Sequence, residues 1–147
     1  MSFELTQQEA DTLLSIEKYS QDDNVYLFSD ISGSLRVPLI SKDKREEFML
    51  DIYRSKIELV KNTFQNRARK AFILARVDIG GSPHRNPDGE EISCPHLHLY
   101  REGFGDKWAF PVPKEFSNTS DVWVVLQDFM SYCNIVGKPE IQKGLLV

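Results

Sequence analysis

The chain has 147 residues, of which 41% are hydrophobic and 27% charged, which is the composition of a soluble globular domain with one core. Its formal net charge of -4 argues against the global basic field that drives non-specific nucleic-acid binding, although a local basic patch remains compatible with it. The two cysteines lie far apart, which predicts a reducing compartment rather than a disulfide framework. With a polar N-terminus and no apolar run of membrane-spanning length, we expect one cytoplasmic domain over residues 1–147 and no membrane association.

A helix is predicted near the start of the chain. Thr6 and Glu9 have the spacing of a capping box, and an apolar stripe follows through Leu13 and Leu14. We expect the helix to end near Tyr19, where polar turn-forming residues begin.

The middle of the chain predicts antiparallel strands in succession. Pro38 marks one of them as an edge or irregular strand. In the strand over 70–79, Arg76 and Asp78 interrupt the second of two apolar faces, which predicts a central strand that opens at its C-terminal end. The strands are expected at 25–28, 35–40, 48–54, 57–65 and 70–79.

A loop over 80–93, a hairpin of strands at 95–101 and 107–112, and a C-terminal helix complete the prediction. Asn118, Thr119 or Ser120 is expected to cap this helix. Its apolar stripe is Val122, Val125, Leu126, Phe129 and Cys133. The predicted fold is therefore α+β, an antiparallel sheet of about five to six strands with an N-terminal and a C-terminal helix packed on it.

All three histidines of the chain fall between His84 and His98. Because side chains alternate along a strand, His96, His98 and Tyr100 are predicted to share one accessible face. If the neighbouring strand pairs beside it, Arg76 and a carboxylate join them.

Three interpretations of this group remain open. Zinc can bind His96 and His98 with Cys94 or His84, although the sequence lacks the usual pairs of ligands two residues apart. Metal-free acid–base catalysis by histidine, assisted by Arg76, Arg101 or Lys107, is the second. In the third, the histidines are a half-buried, hydrogen-bonded pair that braces a loop.

A local basic stretch is the candidate contact to nucleic-acid phosphates. It consists of Lys61, Arg67, Arg69 and Lys70, and Arg85 lies in the loop before the histidine strand. Such stretches are more often solvated strand edges. The sequence has no phosphate-binding loop, no dinucleotide fingerprint and no kinase signature, so no cofactor is expected and any activity should be hydrolysis or transesterification by side chains.

The stretch Pro95-His-Leu-His-Leu-Tyr-Arg-Glu-Gly103, with Asn86-Pro-Asp-Gly89 before it and Tyr132-Cys-Asn-Ile135 after it, resembles a family of small, uncharacterised bacterial proteins of phages and mobile elements. The resemblance extends from about Phe48 to Gln142. It implies an accessory role in conflict, such as a toxin, an antitoxin partner or a counter-defence factor, and it carries no established catalytic residues.

The predicted layout also resembles that of the small ribonuclease toxins, an analogy of fold alone. It implies metal-independent RNA cleavage with His96 and His98 as the acid–base pair. Arg76 and Arg101 would stabilise the phosphate, assisted by Tyr100 or Lys107.

The rival hypothesis is a non-enzymatic binding protein with a His/Arg ligand cleft. It would hold a nucleotide, or bind a protein partner such as an antitoxin or a host defence complex. The sequence leaves the oligomeric state open.

Overall fold

A computed structural model describes residues 4–28, 33–55 and 61–143. In these ranges the chain forms two helices and twelve strands. In chain order they are α1 (Gln7–Ser15), β1 (Lys18–Ser20), β2 (Val25–Phe28), β3 (Gly33–Ser41), β4 (Glu47–Arg54), β5 (Asn62–Ala68), β6 (Phe72–Ile79), β7 (His84–Arg85), β8 (Glu91–Ile92), β9 (His96–Arg101), β10 (Gly105–Pro111), α2 (Val122–Tyr132), β11 (Ile135–Gly137) and β12 (Glu140–Lys143).

The main sheet has eight strands in the order β10-β9-β6-β5-β4-β3-β1-β11. Neighbours from β10 to β1 are antiparallel, so the α+β class and the antiparallel meander are confirmed. The predicted five to six strands are too few, because β1 and β11 extend the sheet through a parallel pair. Two smaller sheets pair β12 with β2 in parallel and β7 with β8 in antiparallel fashion. The β7–β8 hairpin lies in the segment that was predicted to be loop, and residues 57–60 of the predicted strand over 57–65 lie outside the described ranges.

One face of the main sheet is apolar and carries both helices. Strand residues such as Leu50, Phe64 and Val77 form a single buried cluster with Leu13 of α1 and Phe129 of α2. Because strand side chains alternate, the residues between them point to the opposite face, which no helix covers in the described part of the chain. This asymmetry leaves one sheet face available for polar side chains.

Both helices begin with an N-cap residue. The sequence predicted the N-cap of α1 correctly, but not that of α2. The Thr6–Glu9 capping box of α1 is present. The N-cap of α2 is Asp121 rather than residues 118–120, because its carboxylate accepts hydrogen bonds from the amides of Trp123 and Val124. Neither helix is long and apolar enough to cross a membrane.

Helix α1 ends at Ser15, four residues before the predicted end. Ile16 is extended, and the chain enters β1 at Lys18. Pro38 was predicted to mark an edge or irregular strand, and the edge alternative is wrong, since β3 lies between β4 and β1. The carbonyl of Pro38 accepts a hydrogen bond from the amide of Gln21, which lies just after the last residue of β1. The amide and the carbonyl of a residue in an antiparallel strand point to the same side, so the hydrogen that proline lacks has no β1 residue to pair with.

Lys18 is fully buried, a feature that the sequence did not suggest. Its ammonium donates hydrogen bonds to the carbonyls of Leu14 (2.8 Å), Ile16 (3.0 Å) and Cys133 (2.8 Å). Burial lowers the pKa of Lys18 to about 8. The side chain therefore connects the C-terminal end of α1 to that of α2.

Candidate functional site

Two rows of polar side chains cross four neighbouring strands on the face opposite the helices. Strand register aligns each row, so that its members lie side by side at the spacing of paired strands. The first row is Asp51, Gln65, Arg76 and His98, and the second is Tyr53, Thr63, Asp78 and His96. We call these eight residues the polar sheet face.

The imidazoles of His96 and His98 lie on the same side of β9. Their ring centroids are 4.9 Å apart, and the Nε2 atom of each ring lies 3.1 Å from the same oxygen, Oδ2 of Asp78. Arg76 completes the group, because its Nη2 lies 3.1 Å from Nε2 of His98. We call Arg76, Asp78, His96 and His98 the polar cluster.

The predicted accessibility of both imidazoles is wrong. His96 is 2% exposed and His98 is 0% exposed. The loop before β9 lies against them: the ring of His84 is 5.9 Å from that of His96 and 4.6 Å from that of His98, centroid to centroid. The side chain of Asn86 fixes this loop by hydrogen bonds to both the amide and the carbonyl of Ala109.

The hydrogen bonds of His98 determine its neutral tautomer. Its Nδ1 lies 2.7 Å from the carbonyl oxygen of Asp106, which only accepts, so Nδ1 carries the hydrogen. Nε2 of a neutral ring then has a lone pair that faces Arg76 and Asp78. His96 differs, because its Nδ1 is buried without a regular hydrogen-bond partner among the described residues, although the Ser93 backbone is close enough to favour protonation.

The charges of the polar cluster compensate each other. Nη1 of Arg76 lies 2.5 Å from Asp106 Oδ2, and Nε of Arg76 lies 3.3 Å from Asp78 Oδ1. Burial by itself raises the pKa of Asp78, but the close contact with His98 Nε2 and the charge of Arg76 outweigh it and hold that pKa well below its usual range. Burial lowers the pKa of His96 more than the Asp78 charge raises it. Asp78 is therefore the anion around which the cluster is arranged.

A pocket of about 510 Å³ opens over the polar sheet face. Arg76, Asp78 and His96 line its inner wall, whereas His98 lies behind them. The remaining lining comes from the far end of both rows and from the loop after β6, namely Asp51, Tyr53, Lys61, Asn62, Thr63, Gln65, Ile79, Gly81, Ser82, Pro83 and His84. The pocket thus gives a ligand access to His84, Arg76 and Asp78, with the nearly buried His96 at its floor.

The structure does not bring Tyr100 to this pocket. Its hydroxyl donates to the Leu5 carbonyl (2.8 Å) and accepts from the Leu5 amide (3.0 Å), which attaches the segment before α1 to β9. The alternation of side chains placed Tyr100 with the histidines, but its hydroxyl is committed to the backbone of Leu5. It is an anchor of the fold rather than a member of the polar cluster.

We expect Tyr100→Phe to lower the free energy of unfolding by about 1–3 kcal/mol, because both Leu5 backbone groups lose a buried partner. Urea denaturation of wild type and variant measures this difference. Tyr53→Phe, at an exposed tyrosine, is the matched control and should change stability by less than about 0.5 kcal/mol. A Tyr100→Phe variant as stable as this control would contradict the anchoring role.

Arg101 and Lys107 also lie away from the polar cluster. The Arg101 guanidinium is stacked 4.4 Å from the ring centroid of Trp108. Lys107 contributes its backbone carbonyl, which accepts a 2.7 Å hydrogen bond from Nε2 of His84, while its side chain is exposed. The structure therefore brings Arg76, His96 and His98 together, but not Tyr100, Arg101 or Lys107.

The five residues of the predicted phosphate-binding group are dispersed. Arg67 pairs with Asp51, Arg69 with Glu46 and Glu9, and Arg85 with Glu91. Arg69 and Lys70 form the β5–β6 turn, both with positive φ. Lys61 lines the pocket. Of this group, Lys61 is the residue placed to meet a ligand in the pocket.

Among the residues that the structure describes, Asp78, His96 and His98 form a group that can hold a metal ion, since one ligand atom from each lies within 4.8 Å of the others. Cys94, the sulfur ligand considered from the sequence, is engaged elsewhere. Its Sγ donates to the Asp78 carbonyl (3.1 Å) and accepts from the Gly81 amide (3.4 Å). The third possible metal ligand is therefore the carboxylate of Asp78 and not the predicted Cys94.

Sequence reasoning missed several residues of the site. Asp106 was assigned to a turn, yet it holds Arg76 by its carboxylate and His98 by its carbonyl. Tyr53 and Thr63 were not singled out, although they lie in register with Asp78 and His96. Alternation along β4 and β5 was the available signal, but it needed the strand register, which the sequence does not supply.

A family model described as "Family of unknown function (DUF6978)" matches residues 5–135. No curated protein and no solved structure matches the chain. The matched range contains both helices, all members of the polar sheet face and the loop that carries His84.

Proposed function

Because this chain belongs to the family of unknown function DUF6978, we propose its function from its own site: it processes nucleic acid by cleaving phosphodiester bonds of RNA. The observation that carries the proposal is the convergence of an imidazole, a carboxylate and a guanidinium on the wall of an open pocket, with the imidazole of His98 buried directly behind them. Phosphodiester cleavage needs groups that move protons and a cation that stabilises the charge of the transition state. The polar cluster supplies both kinds of group.

In the metal-free reaction expected from the sequence, the 2′-hydroxyl of the RNA attacks phosphorus and the 5′-oxygen leaves. His96 takes the proton of the hydroxyl, and His84, the other pocket-lining imidazole, donates a proton to the leaving oxygen. Arg76 stabilises the phosphorane charge. His98 does not line the pocket, so we propose it as a positioning residue that acts through Arg76 and Asp78 rather than as half of an acid–base pair.

The size of the pocket supports a nucleotide-sized substrate. Tyr53 is 47% exposed and offers an aromatic surface on which a base can stack. It lies three strands from His96 in the same row, roughly 14 Å away at the usual strand spacing. This separation suits a base and the phosphate of a neighbouring nucleotide.

The direct test incubates the purified chain with a labelled single-stranded RNA of mixed sequence. We expect wild type to cleave it, with products that end in a cyclic phosphate, and to arrest growth when expressed, as the mobile-element toxin context implies. His96→Ala should fold and be inert. Parallel reactions with EDTA and with added divalent metal decide whether the reaction is metal-free. Intact RNA under every condition would refute the proposal.

A second candidate is a non-enzymatic binding protein of a mobile element, either a counter-defence inhibitor or an antitoxin-type partner. It is favoured by the fully buried His98 and by Arg76, whose charge is compensated by Asp78 and Asp106. For such a protein, His96→Ala should retain most of the function, whereas substitution of exposed acidic residues such as Asp23 and Glu47 should abolish partner binding.

A further inference from the structure

We infer that Asp78, His96 and His98 form a binding site for a first-row divalent transition-metal ion. The three ligand atoms are Nε2 of each imidazole and Oδ2 of Asp78, and both nitrogens lie 3.1 Å from that oxygen. Sequence analysis left zinc open but with Cys94 or His84 as the third ligand. The structure offers a carboxylate on the adjacent strand instead.

The contact between His98 and Asp78 needs a positive species between its two atoms. Because Nδ1 of His98 donates to the Asp106 carbonyl, a neutral ring directs the lone pair of Nε2 at the carboxylate oxygen 3.1 Å away. Two electron-pair donors at that distance repel each other unless a proton or a metal ion lies near both. Arg76 Nη2 lies near both atoms, 3.1 Å from Nε2 and 3.4 Å from Oδ2, so an ion bound here takes the place of these two guanidinium contacts.

The spacing of the ligand atoms suits a metal ion. Metal–ligand bonds of about 2.1 Å at tetrahedral angles place ligand atoms roughly 3.4 Å apart. The two nitrogen–oxygen separations of 3.1 Å are within a few tenths of an ångström of that value, and all three ligand atoms lie within 4.8 Å of one another. Because His96 and His98 lie two residues apart on β9, the backbone itself sets the distance between the two imidazoles.

The surrounding groups hold the ligands in place. Metal-bound histidines usually donate a hydrogen bond from their other ring nitrogen to a carbonyl or carboxylate, as Nδ1 of His98 does to the carbonyl of Asp106. Asp78 Oδ1 accepts a 3.0 Å hydrogen bond from Thr63 Oγ1, whereas Oδ2, which faces both imidazoles, has only a longer contact of 3.4 Å with Arg76 Nη2. His96 and Asp78 line the pocket, so an ion held there is reachable by a ligand.

The donor set selects the class of ion. Two imidazole nitrogens and one carboxylate suit Zn²⁺, Fe²⁺ or Mn²⁺, whereas Mg²⁺ and Ca²⁺ prefer oxygen ligands throughout. The site rests on its own geometry and not on the proposed cleavage of RNA. If both hold, the ion supplies a Lewis acid, His96 becomes a ligand, and His84 is the pocket imidazole that remains for proton transfer.

Calorimetric titration of the metal-stripped chain with ZnCl₂ and with MnCl₂ tests the site, with metal content after dialysis as a second readout. We expect one ion per chain and a higher Tm with metal than with EDTA. Asp78→Asn and His98→Gln should each weaken binding at least about 100-fold. Asp88→Asn, the same carboxylate substitution in the exposed turn between β7 and β8, should leave stoichiometry and affinity unchanged.

Wild type without binding at millimolar ZnCl₂ and MnCl₂, or binding that Asp78→Asn preserves as fully as Asp88→Asn does, would overturn the inference. Circular dichroism of each metal-free variant establishes that it folds, and His96→Gln replaces any variant that does not. Since titration requires no RNA, metal binding without cleavage refutes only the proposed function, and cleavage in EDTA without metal binding refutes only the site.

Discussion

Lys18→Met is expected to lower the free energy of unfolding by about 3 kcal/mol, because one buried and two part-buried carbonyls lose their donor at once. Each unpartnered buried carbonyl costs roughly 1–3 kcal/mol, and removal of a buried ammonium recovers part of this sum. Methionine keeps most of the side-chain volume, so the cavity contribution stays small. Urea denaturation curves of wild type and variant, each fitted with its own dependence of unfolding free energy on urea concentration, measure this difference.

The matched control is Lys42→Met, the same substitution at an exposed lysine, which should change stability by less than about 0.5 kcal/mol. If Lys18→Met were as stable as this control, the carbonyls of Leu14, Ile16 and Cys133 would have to find other donors. The junction between the ends of α1 and α2 would then not depend on the ammonium.

Asp78→Asn is expected to reduce the proposed RNA cleavage by about 10²- to 10³-fold, within the range typical of an essential acid–base or electrostatic group. An amide keeps the shape of the side chain but not the charge that faces Arg76, His96 and His98. Initial cleavage rates of wild type and variant at equal folded concentration measure the effect.

Asp88→Asn, in the exposed turn between β7 and β8, is the control and should retain the wild-type rate. Thermal unfolding of both variants separates loss of the site from loss of the fold. A folded Asp78→Asn variant that keeps more than about a third of the wild-type rate would show that the carboxylate does not organise the reaction.

Local features of the fold could be predicted because their signals lie within a few residues. The Thr6–Glu9 capping box is such a signal. So is the alternation that places His96 and His98 on one side of β9. The apolar stripe of α2 is also a local signal. It predicted that Val125, Leu126 and Phe129 face the core, and all three are buried.

Features that depend on distant pairing could not be predicted. The parallel pairs β1–β11 and β2–β12 join segments more than 100 residues apart along the chain. Neither strand of a pair has a sequence pattern that identifies its partner. The burial of Lys18 follows from the same junction, because its acceptors come from Leu14, Ile16 and Cys133. In the sequence alone it is one lysine among 18 basic residues.

The sequence predicted which part of the chain forms the candidate site, but it did not predict all of the residues that meet there. The clustering of three histidines and the interruption of β6 by Arg76 and Asp78 pointed to the right strands. Tyr100 was assigned by the same alternation, yet the packing of residues before α1 engages its hydroxyl. The burial of both imidazoles depends on how the His84 loop packs against them, which alternation along β9 does not encode.

Anomalous diffraction from crystals grown with one equivalent of ZnCl₂ tests the central claim most directly. We expect one strong zinc peak at roughly 2.0–2.2 Å from Nε2 of His96, Nε2 of His98 and a carboxylate oxygen of Asp78. A map in which these three side chains point away from one another, or in which zinc binds elsewhere while they remain empty, would contradict it.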